Sequence, residues 1–419
     1  MSNLNATPSG ERIHIGLFGR RNAGKSSLIN ALTGQKLAVV ANVPGTTTDP
    51  VPKAMELLPL GPVLMIDTAG IDDTGELGAL RVQKSLQILN KTDIAMLVID
   101  SCTGIRDEDL ALLARIQDKD LSCVIVFTKA DLAKKEDNIF SKTCNTETDS
   151  SLQTFLPSSM PQISVSATTG KNIRELKELL AHMVPQRKPP FPICADLITA
   201  GDTVLLVTPI DSAAPKGRLI LPQQQTIRDI IDSGASSIVT QENNVTHALQ
   251  NLKTPPVMVI TDSQAFGKVN QAVPTEIKLT SFSILMARHK GNLEQAVLGV
   301  AALKELKGKD RILISEGCTH HRQCGDIGTE KLPKWIREFT GKEFNLSWTS
   351  GTEFPADLSP YRMVIHCGGC MLNEREMQYR YRCAADQHIP MTNYGLCIAY
   401  THGILKRSLS VFPELAAKL

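Results

Sequence analysis

The chain predicts an α/β protein of more than one domain, and three observations carry that expectation. It is 419 residues long, past the size at which one core goes on growing. Short apolar runs of strand character recur along it: Ile13 to Phe18, Val63 to Ile66, Val124 to Phe127, Thr203 to Ile210, Val257 to Asp262, Arg311 to Ser315 and Arg362 to Ile365. Several lead straight into turns rich in glycine, proline or polar residues and then into helix-like segments, the order that builds parallel sheets.

Composition narrows the function classes. Hydrophobic residues make up 42% of the chain, enough for real cores, and the net charge is only +2 with both signs interspersed. No segment carries the basic footprint of a nucleic-acid binder, so an RNA partner is disfavoured. No apolar run reaches the ~18 residues of a membrane span. Met1 to Asn5 has neither a basic nor an apolar signal character. A soluble, cytoplasmic protein without membrane contact is expected. Ten cysteines in such a chain point to metal ligation or buried thiols, not a disulfide framework. Cys102, Cys123, Cys144 and Cys194 stand alone and read as ordinary side chains.

The first domain is expected over residues 1–184. Its strand Ile13 to Phe18 runs into Gly19-Arg20-Arg21-Asn22-Ala23-Gly24-Lys25-Ser26 and then the helix from Ser27 to Leu32. This is a phosphate-binding P-loop in its proper setting. Gly19, Asn22, Ala23, Gly24 and Ser27 shape the nucleotide-binding loop, Lys25 reaches the β and γ oxygens, and the Ser26 hydroxyl ligates Mg²⁺. Val63 to Ile66 ends in Asp67-Thr68-Ala69-Gly70, where Asp67 holds Mg²⁺ through water and the Gly70 N–H senses the γ-phosphate. Between them Thr47, in Pro44-Gly45-Thr46-Thr47-Thr48-Asp49, is the expected switch hydroxyl on Mg²⁺. Lys25, Thr47 and Gly70 are the expected catalytic residues.

Val124 to Phe127 leads to Thr128-Lys129-Ala130-Asp131, in which the Asp131 carboxylate accepts from guanine N1 and the exocyclic amine. ATP lacks that donor pattern, so GTP is the expected nucleotide. Thr128 stands where Asn is usual, and Ser166 with Ala167 supplies a further base-contacting loop. These elements resemble GTPases of the tRNA-modification and ribosome-assembly type. The resemblance implies that Asn22 helps to coordinate potassium beside the phosphates. Ile71 follows Gly70 where a Gln would orient the attacking water, so slow intrinsic hydrolysis, stimulated by K⁺, is expected. The polar stretch from Lys134 to Pro161 reads as a surface insertion.

Pro185 to Pro192 is a proline-rich linker that ends the first domain. A small α/β domain is expected over 185–268, too short to complete its own core without a partner. Asp211 and Lys216 sit in its polar turn and read as solvated. A last α/β domain is expected over 269–419. There Arg311 to Ser315 precedes Cys318-Thr319-His320, and Arg362 to Ile365 precedes His366-Cys367-Gly368-Gly369-Cys370. Two strand ends would bring the thiols together at the carboxyl edge of a sheet, where such folds keep their ligands. Soft thiolates select iron–sulfur clusters or zinc, and Cys318, His320, His366, Cys367 and Cys370 allow either. Cys324, Cys383 and Cys397 read as spare thiols.

The P-loop domain, the segments Val207 to Asp211 and Pro215 to Pro222, and the terminal Cys-x-His and His-Cys-x-x-Cys pair together resemble the GTPase maturases of [FeFe] hydrogenase, the HydF family. The resemblance runs almost the whole length. It implies a GTP-binding domain, a dimerisation domain and a [4Fe–4S] cluster domain, with Cys318, Cys367 and Cys370 as cluster ligands and a labile fourth position. It further implies a scaffold that holds a diiron subcluster precursor and delivers it to apo-hydrogenase, in company with the radical-SAM maturases of the same pathway. A homodimer is expected. The alternative from another class is an RNA-modification or ribosome-assembly GTPase with a terminal zinc domain, which the near-neutral charge disfavours.

Overall fold

The computed structural model describes residues 7–34, 51–71, 82, 85–132, 160–184, 191–209, 219–317, 326–351 and 353–419. Thr47, Asp211, Lys216, Cys144, Cys318, His320, Cys324, residues 185–190 of the linker and nearly all of the polar stretch after Lys134 lie outside them. The chain divides into two compact units, residues 1–186 and 187–419. No helix among the described residues is long and apolar enough to cross a membrane.

In the first unit the order is β1 (Ile13–Phe18), α1 (Lys25–Thr33), β2 (Val51–Leu57), β3 (Gly61–Asp67), β4 (Ile94–Asp100), α2 (Asp107–Asp118), β5 (Ser122–Thr128), β6 (Gln162–Ser164) and α3 (Ile173–His182). The sheet runs β2-β3-β1-β4-β5-β6, parallel except for β2. Both faces are covered. Ile15, Leu17, Met65 and Val98 pack with Leu28 of α1 and Leu176 of α3. On the other face Phe18, Ile66 and Leu97 pack with Leu112 and Ile116 of α2. Burial on two sides is why these strands read as continuous apolar runs instead of alternating ones.

The second unit holds two four-stranded parallel sheets. The first comprises β7 (Thr203–Val207), β8 (Ser236–Thr240), β9 (Met258–Thr261) and β10 (Lys278–Ser281), with α4 (Leu221–Asp232), α5 (Val245–Gln250) and α6 (Phe266–Ala272) as crossovers. Next come α7 (Phe282–His289) and α8 (Leu293–Val300). The second sheet is β11 (Arg311–Ser315), β12 (Asn345–Thr349), β13 (Met363–His366) and β14 (Met391–Asn393), with α9 (Leu332–Thr340) and α10 (Glu374–Asp386) between strands and α11 (Tyr394–Thr401) after them. The orders are β10-β9-β7-β8 and β12-β11-β13-β14. Each sheet therefore winds one way from its first strand and the other way from its third. The reversal leaves a crevice between β7 and β9 in one sheet and between β11 and β13 in the other.

Two expectations change here. The boundary expected at 268 falls inside the first of these sheets, because β10 pairs with β9 from Lys278 opposite Met258 to Ser281 opposite Thr261. The middle sheet also closes its core within this chain. Val204, Leu206, Ile230, Met258 and Ile260 belong to one buried cluster with Ile284, Leu285, Ile312, Val364 and Leu396. A partner is thus not required to cover that face.

The shared core is tight where α8 crosses β14. A Cβ added at Gly299 would lie 2.1 Å from the Met391 carbonyl oxygen. Replacing an exposed helical Gly by Ala gains about 1 kcal/mol, but here the clash is with backbone that cannot rotate away. Gly299→Ala is expected to lower unfolding free energy by at least ~2 kcal/mol. Trp335 and Trp348 both lie in this unit, so denaturation followed by tryptophan fluorescence reads it directly. A stabilised variant would contradict the packing.

Candidate functional site

At the first site, the ends of β1 and β3 meet the start of α1. Ser26 Oγ donates to Asp67 Oδ2 at 2.6 Å, and Asp67 Oδ1 is buried without a hydrogen-bond partner. Burial raises the Asp67 carboxyl above its ordinary value, opposed by the Ser26 hydrogen bond and the Lys25 charge. An orphaned buried acceptor costs ~1–3 kcal/mol, so this pair fits a divalent cation such as Mg²⁺. Lys25 Nζ donates to the carbonyls of Gly19 at 2.9 Å and Arg20 at 2.8 Å, curled into the loop it closes. Asn22 is exposed at φ 60°, Ala23 and Gly24 follow it, and Ser27 lies in the first turn of α1. Gly70 is buried, the Ile71 N–H meets the Gly19 carbonyl at 3.4 Å, and the Ile71 side chain packs against the Phe18 core.

On the base side the frame is hydrogen-bonded. Thr128, 2% exposed, puts its hydroxyl 2.6 Å from the Ala23 carbonyl and 3.2 Å from that of Ile99. It braces the phosphate loop against the end of β4. Lys129, at φ 58°, pairs with Asp100 at 2.7 Å, and the Ala130 N–H meets the Val165 carbonyl at 3.1 Å. Ser166 is buried, accepting from the Thr169 N–H at 3.1 Å, so its side chain also serves the loop. Asp131 is exposed and Ala167 half-buried, leaving the carboxylate open to a base.

The second site lies in the crevice between β11 and β13. Ser315 stands opposite His366, and the Cys367 N–H extends the pairing to the Ser315 carbonyl at 2.8 Å. The chain then turns through Cys367 to Cys370. Gly369 has φ 59°, and a Cβ there would come 2.5 Å from Met377 Sδ, so the turn demands glycine. Cys367 Sγ accepts from the N–H groups of Gly317 at 3.0 Å and Gly369 at 3.3 Å. Burial pushes the Cys367 thiol up, and those two N–H groups pull it back. Burial likewise raises Cys370, countered by the Lys290 charge and by backbone N–H groups of Cys370 and Met371. Thiols that are buried yet surrounded by donors and cations suit metal-bound thiolates, for which the metal displaces the proton.

His366 does not join them. Its ring is fully buried, with Nδ1 2.6 Å from the Cys367 carbonyl and Nε2 2.9 Å from Arg380 Nη1. A carbonyl only accepts and a guanidinium only donates, so Nδ1 carries the proton and Nε2 spends its lone pair on Arg380. Burial, then the Arg380 charge, bring the imidazole down to about 3. The expectation of His366 as a metal ligand is therefore corrected: it is a neutral strut. Arg380, which sequence reading missed, is itself fully buried and also binds Glu376 at 2.8 Å, Ser315 at 3.3 Å and the Gly351 carbonyl at 2.7 Å. Among the described residues no three His, Cys, Asp or Glu side chains are grouped to hold a metal, so the described part of this site supplies two thiols. Of the other cysteines, Cys123, Cys194 and Cys397 are buried and Cys102 is exposed.

Comparison with known proteins matches three stretches of the chain. Residues 14–129 match the 50S ribosome-binding GTPase family, 193–291 the hydrogen maturase F dimerization domain, and 294–411 the hydrogen maturase F tetramerization domain. The tRNA modification GTPase MnmE of Moorella thermoacetica is 35% identical over 175 residues, which are 42% of this chain and 35% of that protein. GTPase Der of Heliobacterium modesticaldum is 32% identical over 183 residues, 42% of this chain and 40% of that one. The chain thus spans well under half the length of these relatives. Among solved structures, Era of Aquifex aeolicus bound to GDP.AlF4- is 18% identical, covers 62% of this chain and 99% of its own, and superposes with a TM-score of 0.37. The first unit is a GTPase domain that binds GTP with Mg²⁺ and hydrolyses it.

The Thr128 brace is testable. Thr128→Val keeps the shape and removes the hydroxyl, leaving the buried Ala23 carbonyl short of a donor; nucleotide affinity is expected to fall about tenfold, ~1.4 kcal/mol. Thr128→Ser should restore it. Titration with a fluorescent guanine nucleotide measures both, and an unchanged Val variant would show the brace to be idle.

Proposed function

We propose that this chain, which belongs to the hydrogen maturase F family of GTPases, carries a [4Fe–4S] cluster on Cys318, Cys367 and Cys370 and acts as a scaffold in [FeFe]-hydrogenase maturation. The observation that carries the proposal is the Cys367–Cys370 turn at the strand-order reversal, with the backbone N–H groups of Gly317 and Gly369 on Cys367 Sγ. Gly317, whose N–H bonds Cys367 Sγ, is followed in sequence by Cys318. With His366 committed to Arg380, His320 stays a candidate for a fourth, exchangeable position. When bound, the cluster would offer one iron not held by thiolate, to which a diiron precursor can attach before transfer to apo-hydrogenase. An N or O donor there is displaced more easily than a thiolate.

The chain's own residues account for the nucleotide end. Asp131 selects guanine, and Ser26 and Asp67, joined by Thr47, hold Mg²⁺. Lys25 exchanges its two loop carbonyls for phosphate oxygens. Ile71, turned into the core, positions no water, so potassium held beside exposed Asn22 offsets transition-state charge. GTP turnover regulates contacts with apo-hydrogenase and the radical-SAM maturases in the cytoplasm. The matched dimerization and tetramerization domains support an oligomer, of which a homodimer is the proposed unit.

Two measurements follow. Anaerobically loaded parent protein should activate apo-hydrogenase, read as hydrogen evolution, whereas Cys370→Ala should lose activation and keep GTP hydrolysis; a Cys370→Ala variant that activates normally sinks the scaffold assignment. GTP hydrolysis in potassium chloride should exceed that in sodium chloride at equal ionic strength by about tenfold or more. Asn22→Ala should abolish the difference, and equal rates in the parent protein count against a potassium site.

A further inference from the structure

The last two residues of helix α7, Arg288 and His289, and Lys290 just after it each hold a distant partner. Arg288 forms a two-pronged ion pair with Asp196, Nη1 to Oδ1 at 2.9 Å and Nη2 to Oδ2, with its guanidinium 4.5 Å from the centre of the Phe191 ring. His289 Nδ1 lies 2.8 Å from the Phe191 carbonyl. Lys290, only 7% exposed, donates from Nζ to the carbonyls of Gly369 and Leu372, the latter at 2.7 Å. Those two carbonyls bracket Cys370. The Leu372 N–H also bonds the Gly369 carbonyl, at 3.0 Å, so lysine and turn share one acceptor.

Burying an ammonium is costly unless its donors are used, and here two backbone carbonyls of the cysteine turn accept them. The contact crosses 79 residues of sequence and joins two differently matched domains, Lys290 within 193–291 and the cysteines within 294–411. Arg288 and His289 fix the helix end, so the lysine is presented from a pinned base. Its charge acts on Cys370, as noted above.

We propose that Lys290 is the positioning residue of the cysteine site: supplied by the preceding domain, it sets the shape of the Cys367–Leu372 turn before metal arrives and stands as fixed positive charge beside the thiolates. The proposal rests on the reading that Cys367 and Cys370 ligate a cluster. It gives the site a dependence on the dimerization domain that the cysteine motif alone does not contain.

The test uses the full chain with Lys290→Met, which keeps the apolar stem, and Lys290→Arg, which keeps charge and donors. In metal-free protein, hydrogen exchange of the amides at 368–372 is expected to speed up about tenfold or more in the Met variant. Exchange in β11, β13 and the GTPase domain should stay unchanged, and the Arg variant should lie near the parent. After anaerobic reconstitution with ferrous iron and sulfide, the midpoint potential should drop in the Met variant, because removing a cation disfavours the reduced, more negative centre, and return in the Arg variant. Unchanged exchange at 368–372, or faster exchange across all of 187–419, overturns the positioning role. Equal potentials in parent and Met variant overturn the role of the charge. If the parent takes up no iron, the cluster reading itself fails, and the exchange comparison still decides whether Lys290 shapes the turn.

Discussion

The parallel pairing of β11 with β13 puts Ser315 opposite His366 and so brings Gly317 and Cys367, 50 residues apart, within hydrogen-bond distance. A shift of one residue would turn every β13 side chain to the other face, sending His366 out of the core and the following turn out of register. The register is held from below by Arg380, which reaches Ser315 on one strand, His366 on the next and Gly351 beyond the edge strand. Above the pairing, Gly369 and Lys290 shape the turn. The two thiols are thus oriented by groups that are not ligands, as outer-shell partners do at metal sites generally.

The buried charges belong to geometry more than to stability. Replacing a whole buried ion pair such as Arg380–Glu376 by apolar residues is often neutral or stabilising, whereas removing one partner costs ~3–5 kcal/mol. What an apolar replacement could not do is fix the His366 tautomer and tie three strands at their carboxyl ends. The nucleotide end shows the same design. Asp67 is buried at a cost that a cation can offset, and Thr128 is spent on bracing the phosphate loop while Asp131 stays open to the base.

Much of this was legible in the sequence because motif chemistry is local. The glycines, Lys25 and Ser26 are contiguous, and β1, β3, β5, β9, β11 and β13 are buried on both faces, so their apolar runs announce strands. The edge strands did not announce themselves. Ser236–Thr240 and Asn345–Thr349 are half-exposed with three polar residues in each five, and Lys278–Ser281 is short and ends in hydroxyls, which moved a domain boundary to 268. The side chains that commit His366 and shape the cysteine turn were hidden for a different reason. Arg380 reaches back from a helix 14 residues on, and Lys290 from another domain, so no spacing rule connects them. Likewise Thr128 and Ser166 were expected at the ligand, but polar side chains in buried loops satisfy backbone groups first.

The central claim is that two strand ends at one crevice assemble a thiolate-bound iron–sulfur centre. Iron and acid-labile sulfide should be quantified per chain after anaerobic reconstitution, in the parent and in Cys318→Ala, Cys367→Ala and His366→Gln. About four of each per parent chain is expected, with loss in either cysteine variant and retention in His366→Gln. One zinc per chain with no sulfide, or iron lost only from the histidine variant, would contradict the account.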